Sequence, residues 1–124
     1  MTTCENAIQV RGAGFDKGEG AGLFFPVASQ PLTPAEINSA LPALPGWAFD
    51  RDALAKEFKF GSFKEALSFM VRVGFEAEAL DHHPDWTNVY NRVAVRLNTH
   101  DAGGKVTAKD VALAKKIQAI SWVG

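Results

Sequence analysis

Three histidines, His82, His83 and His100, are the side chains of this sequence best suited to moving protons near neutrality. A free imidazole has a pKa of about 6.5, so near pH 7 it can both give and take a proton. His82 and His83 are adjacent and precede Pro84, with Glu78, Asp81 and Asp85 close by in the chain. Carboxylates at that range favour the charged ring and fix a tautomer by accepting a ring N–H. His100 stands before a Gly103-Gly104 loop. Three imidazoles around one cleft suit general acid/base chemistry. Two histidines ahead of a proline also suit the negative end of a helix dipole, so spacing alone leaves a purely structural role open. A zinc site is disfavoured. Helical zinc motifs place two histidines one turn apart, whereas adjacent histidines diverge. No metal is therefore expected. Cys4, the single cysteine, excludes an intramolecular disulfide framework and is not expected to act as ligand or nucleophile. Gly12-Ala13-Gly14 precedes no strand-to-helix unit, so it does not read as a phosphate loop.

The elements around these histidines follow from periodicity and capping. Thr33-Pro34-Ala35-Glu36 is a capping box that starts a short helix, which Pro42 and Pro45 stop. Trp47 to Phe49 and Leu54 to Phe60 predict a hairpin about Asp50-Arg51-Asp52. Its Phe58/Phe60 face should be buried and its Glu57/Lys59 face wet. Ser62 and Glu65 read as a second capping box, opening a long helix. Phe63, Ala66, Leu67, Met70, Val73, Gly74, Ala77 and Leu80 recur at helical spacing there and are assigned to the core. Asp81-His82-His83-Pro84 ends that helix. A second hairpin fits Trp86 to Tyr90 and Arg92 to Thr99. Thr107 with Asp110 caps a last helix with Val111, Ala114 and Ile117 inward. Asp110 is expected to be structural, as are Asn88 and Tyr90. The order is a short helix followed by β-β-α-β-β-α. This predicts a two-layer α+β domain with an antiparallel four-stranded sheet and helices on one face.

Composition narrows the function. The chain has 124 residues, 47% hydrophobic, with thirteen basic and fourteen acidic side chains. That is one domain with a formal charge of -1, and no global field to recruit nucleic acid or an anionic membrane. Arg92, Arg96, Lys115 and Lys116 read as solvated faces rather than a nucleic-acid footprint. No apolar run reaches the roughly 18 residues of a membrane span, and no charged leader precedes one, so a cytoplasmic protein is expected. Five of eleven glycines lie between Gly12 and Gly22, and five of six prolines between Pro26 and Pro45. Residues 1–31 therefore read as a Gly/Pro-rich arm and residues 32–124 as the domain. Leu23-Phe24-Phe25 in the arm is too apolar to lie free in water and is expected to pack on the body or on a neighbouring subunit.

The stretch from Ala77 through Glu78, Asp81-His82-His83-Pro84-Asp85-Trp86 to Tyr90, and on through His100 to Asp110, resembles the pterin-4a-carbinolamine dehydratase family. The likeness runs from about Leu32 to Trp122 and includes the Pro45-Gly46-Trp47 turn, but not the arm. It implies removal of water from a 4a-hydroxytetrahydropterin to give the quinonoid dihydropterin, in pterin cofactor recycling, with no metal or organic cofactor. It implies His82 and His100 as the acid/base pair, with His83 holding the pterin and sharing in proton transfer. Glu78 and Asp81 would orient imidazoles or bond the pterin, and Pro84 and Trp86 would shape the pocket wall. It further implies a homo-dimer or homo-tetramer built through helices and sheet edges. Some relatives act as dimerisation cofactors of a transcription activator, so a protein-interaction module is the alternative reading. A lyase or isomerase acting on another substrate in the same cleft is a third.

Overall fold

The computed structural model describes residues 30–124. Residues 1–29 of the arm, including Leu23-Phe24-Phe25, lie outside the described residues. The elements are α1 (Pro34–Ala40), a 3-10 turn (Leu41–Ala43), β1 (Ala48–Asp50), β2 (Ala53–Lys59), α2 (Phe63–Leu80), β3 (Asp85–Val89), β4 (Arg92–Leu97), a second 3-10 turn (His100–Ala102) and α3 (Ala108–Ile120). The four strands form one antiparallel sheet in the order β1-β2-β4-β3. Its inner face carries Leu54, Phe58, Val93, Val95 and Leu97, all buried against the helical layer. The α+β class and the single four-stranded sheet agree with the sequence expectation.

Alternation decides the face of each strand. In β2, Leu54 and Phe58 point inward with Phe60 just beyond, while Glu57 and Lys59 face water. Phe69 is the hub of the aromatic core, with ring centroids 4.8 Å from Phe58 and 4.9 Å from Phe60. Trp122, past the end of α3, closes over Phe60 at 5.1 Å and lies under the Arg72 guanidinium. Lys56 shares the inner parity near the open side of β1. Its ammonium donates to Pro45 O, Gln118 Oε1 and Gly124 O, and partial burial holds its pKa below the ordinary lysine value. On the opposite face Asp50 accepts from Arg51 and Arg96, and those hydrogen bonds hold its carboxyl below the usual range.

Two local expectations are corrected. The apolar stripe of α2 is broader than the face that meets the sheet. Ala66, Phe69, Val73 and Ala77 are buried, whereas Phe63, Leu67 and Leu80 are exposed together with Val71 and Phe75. Hydrophobic periodicity locates an apolar arc, and only packing selects which part of a wide arc becomes core. The Ser62–Glu65 capping box is half formed. Ser62 Oγ accepts from Glu65 N, but the Glu65 carboxylate turns to Gly61 N and Trp122 Nε1 instead. The Thr33–Glu36 box is reciprocal, as expected.

The sheet register positions the site. Asp85, which opens β3, pairs with Arg96 near the end of β4. The chain entering β3, through His82, His83 and Pro84, therefore lies beside the chain leaving β4, through Asn98, Thr99 and His100. Residues far apart in sequence meet because an antiparallel pair puts the start of one strand against the end of the other. Replacing Phe69 by Ala should cost about 3–5 kcal/mol of unfolding free energy, read from urea denaturation of the full chain.

Candidate active site

α2 ends because Asp81 adopts a left-handed backbone (φ 50°), a conformation that Asp tolerates better than most residues. This turn lets His82 N donate back to Ala77 O at 3.0 Å and redirects the chain. His82 enters the protein while His83 stays outside. His82 is 8% exposed, and its Nε2 lies 2.5 Å from Asp110 Oδ1. His83 Nε2 lies 2.9 Å from Glu78 Oε1, a pair at the surface.

Asp110 is fully buried, with 0% exposure. Its second oxygen, Oδ2, accepts from Thr107 N and from Thr99 Oγ1, both at 2.8 Å. A buried carboxylate costs several kcal/mol unless it is hydrogen-bonded and its charge compensated. Here two donors on Oδ2, the His82 ring on Oδ1 and the first turn of α3 supply that compensation. Asp110 thus completes the expected capping box with Thr107 and, in addition, grips His82. The cap role was legible from Thr-x-x-Asp; the imidazole contact was not, because it joins positions 28 residues apart. With Asp110 as the acceptor, the neutral ring carries its proton on Nε2 and keeps the Nδ1 lone pair free.

Asp81, His82, His83, Asn98, Thr99, His100, Asp101 and Lys109 line one cleft of about 250 Å³. All three histidines reach it. The structure thus brings together His82, His83, His100 and Asp81 as a group, with Glu78 behind His83. Pro84 and Trp86 are not among the lining residues: Trp86 is half-buried against the hydrophobic core. Asp85 is carried into the sheet beside Arg96. Asn98, Thr99, Asp101 and Lys109 join the cleft without having been singled out. The first three flank His100, so adjacency was a usable signal. Lys109 arrives through the α3 N-terminus, which periodicity could not relate to the His pair. Among the described residues no three His, Cys, Asp or Glu side chains are grouped to hold a metal ion, and no helix is long and apolar enough to cross a membrane.

The two-layer α+β fold, one antiparallel four-stranded sheet with three α-helices, is of the pterin dehydratase class. The family model for pterin 4 alpha carbinolamine dehydratase matches residues 30–120, and the chain belongs to that family. A protein from Opitutus terrae assigned by name to pterin-4-alpha-carbinolamine dehydratase is 68% identical over 93 residues, spanning 75% of this chain and 96% of that one. A counterpart from Rhizorhabdus wittichii is 50% identical over 94 residues, 74% of this chain and 96% of its own. The crystal structure of a transcriptional coactivator/pterin dehydratase from Brucella melitensis superposes with a TM-score of 0.70 at 45% identity, covering 77% of this chain and 100% of that chain.

Asp110→Ala would leave Thr107 N, the Thr99 hydroxyl and the His82 ring without their shared acceptor. A loss of about 3 kcal/mol in unfolding free energy is expected, measured by denaturant titration. Asp110→Asn should cost less, because it keeps the shape and one acceptor oxygen.

Proposed function

We propose that this protein dehydrates a 4a-hydroxytetrahydropterin to the quinonoid dihydropterin by histidine acid/base catalysis. The observation that carries the reading is the meeting of His82, His83 and His100 in one cleft, with His82 held by a buried carboxylate. Loss of the C4a hydroxyl breaks the C4a–O bond. The N5 lone pair pushes it out, forming the C4a=N5 bond, and N5 then gives up its proton. The leaving oxygen needs a proton and N5 needs an acceptor, so one acid and one base complete the reaction and water departs. No electron transfer is required.

His82 and His100 take the acid and base roles. The Nδ1 face of His82 is the free one, because Nε2 is committed to Asp110. His83, paired with Glu78 at the rim, and Asp81 contact the flat ring and orient it. Asp101 and Lys109 add one charge of each sign to the wall, which suits a neutral heterocycle edged with donors and acceptors. The stepwise gain from positioned acid and base groups is typically ~10²–10⁴-fold.

Stopped-flow dehydration of the pterin adduct, with chelator present, should be faster with the protein than without it. His82→Ala and His100→Ala should each lower kcat by roughly 10²-fold or more. His83→Ala should raise KM more than it lowers kcat. A wild-type rate no better than that of the His82→Ala/His100→Ala double variant would overturn the assignment.

A second reading, assembly through α2, has its own observation. Phe63, Leu67, Val71 and Phe75 recur every fourth residue and form an exposed apolar ridge, with Phe75 73% exposed. Such a ridge on a small protein favours burial against a partner, and another copy of the chain supplies the same ridge in return. This supports a homo-oligomer, and the interaction-module alternative would use the same surface. Leu67→Asp/Phe75→Asp should lower the mass found by light scattering coupled to gel filtration. A wild-type monomer would exclude the homo-oligomer.

A further inference from the structure

Asp110 is held by a hydroxyl pair whose hydrogen-bond direction is dictated by chemistry. Thr99 Oγ1 lies 2.8 Å from Asp110 Oδ2 and 2.6 Å from Thr107 Oγ1. A carboxylate only accepts, so the single hydroxyl proton of Thr99 goes to Asp110. Thr99 Oγ1 must then accept from Thr107, whose own oxygen accepts from Lys109 N at 3.2 Å. The chain therefore runs one way, from Lys109 N–H through the Thr107 and Thr99 hydroxyls to Asp110. The His82 Nε2–H meets the other carboxylate oxygen. Thr99 and Thr107 are 3% and 1% exposed, so water does not replace either partner.

Thr99 also fixes the other histidine. Its N–H donates to Lys105 O at 2.8 Å. Its carbonyl accepts from Ala102 N at 3.1 Å and Gly104 N at 3.0 Å, closing the turn that carries His100. The side chain of one residue thus holds the partner of His82, while its backbone holds the loop of His100. We propose that Thr99 is a positioning residue that locks the orientation of His82 relative to His100 through Asp110, an inference that rests on the acid/base reading of the cleft. Its single proton is committed to Asp110 and the oxygen accepts from Thr107, so the hydroxyl acts on the ring through Asp110. For metal-bound histidines, losing an outer hydrogen-bond partner that fixes the ring typically costs roughly 10–100-fold, and the same loss of orientation sets the expected scale for His82.

Thr99→Val keeps the shape and deletes the hydroxyl, and Thr99→Ser keeps the hydroxyl. In the full-length protein, Thr99→Val should lower kcat roughly 10- to 100-fold with KM within about twofold of wild type, and Thr99→Ser should restore most of kcat. In ligand-free protein, isotope-edited proton NMR should show the His82 ring N–H resonance shifted or lost through exchange in Thr99→Val and recovered in Thr99→Ser. A merely structural role would move neither the ring signal nor the split between kcat and KM. If Thr99→Val fails to fold, Thr99→Cys, with its weak S–H donor, is compared with Thr99→Ser in the same two measurements. A wild-type ring signal and kcat in the variant lacking the hydroxyl, or equal losses in it and in Thr99→Ser, would overturn the proposal. The ring signal is read without substrate. A protein that does not dehydrate the pterin but shows the expected ring response would refute the reaction while retaining the role of Thr99.

Discussion

The Asp110 carboxylate is the interaction on which the histidine cleft of this protein depends. It lies fully buried and accepts from a strand-end hydroxyl, a helix N-cap amide and an imidazole. Each donor comes from a different part of the chain: Thr99 beyond β4, Thr107 before α3, His82 beyond α2. A desolvated carboxylate left without them would be among the most expensive groups in the core. The three segments are therefore held together by the same contacts that orient the histidine. The stability of the fold and the orientation of His82 share one group here.

The second constraint is the antiparallel register. Because Asp85 pairs with Arg96, the entry to β3 and the exit of β4 lie at the same end of the sheet. The aromatic cluster around Phe69 anchors α2 on that sheet, so the helix end is carried to the place where the strand ends converge. A left-handed Asp81 then turns the chain sharply enough to send one histidine inward and the next outward. Adjacent residues so acquire different roles, one gripped by a buried acid and one by a surface glutamate.

The fold was legible where periodicity and capping had one physical reading. The alternation of Leu54, Phe58 and Phe60 against Glu57 and Lys59 identified a half-buried strand, and both Thr-headed capping boxes marked helix starts where they occur. Legibility failed in α2, whose apolar residues cover more than one face. Phe69 is the core hub, yet Phe63 and Leu67 have the same character and lie outside. A single chain's hydrophobic arc reports total apolar surface, including any that another molecule covers. Around the cleft, His82, His83, Asp81 and Glu78 were visible as titratable groups near one another in sequence, and His100 as the one further histidine. Trp86 had two readings, because an aromatic ring suits both a flat heterocycle and a core, and the structure packs it on the core.

The histidines themselves, their scarcity, the proline that follows them and the Thr-x-x-Asp start of the last helix were determined by the sequence alone, since these are local chemical facts. Residue type sets what a group can donate or accept, and nearest-neighbour spacing sets helix ends. Which nitrogen of His82 is committed, which acid commits it, and which hydroxyl holds that acid were decided only by tertiary structure. Those contacts join positions 8, 11 and 28 residues apart across three elements. A hydrogen bond is set by ångström distance and direction, and only the packing of the helices on the sheet supplies both.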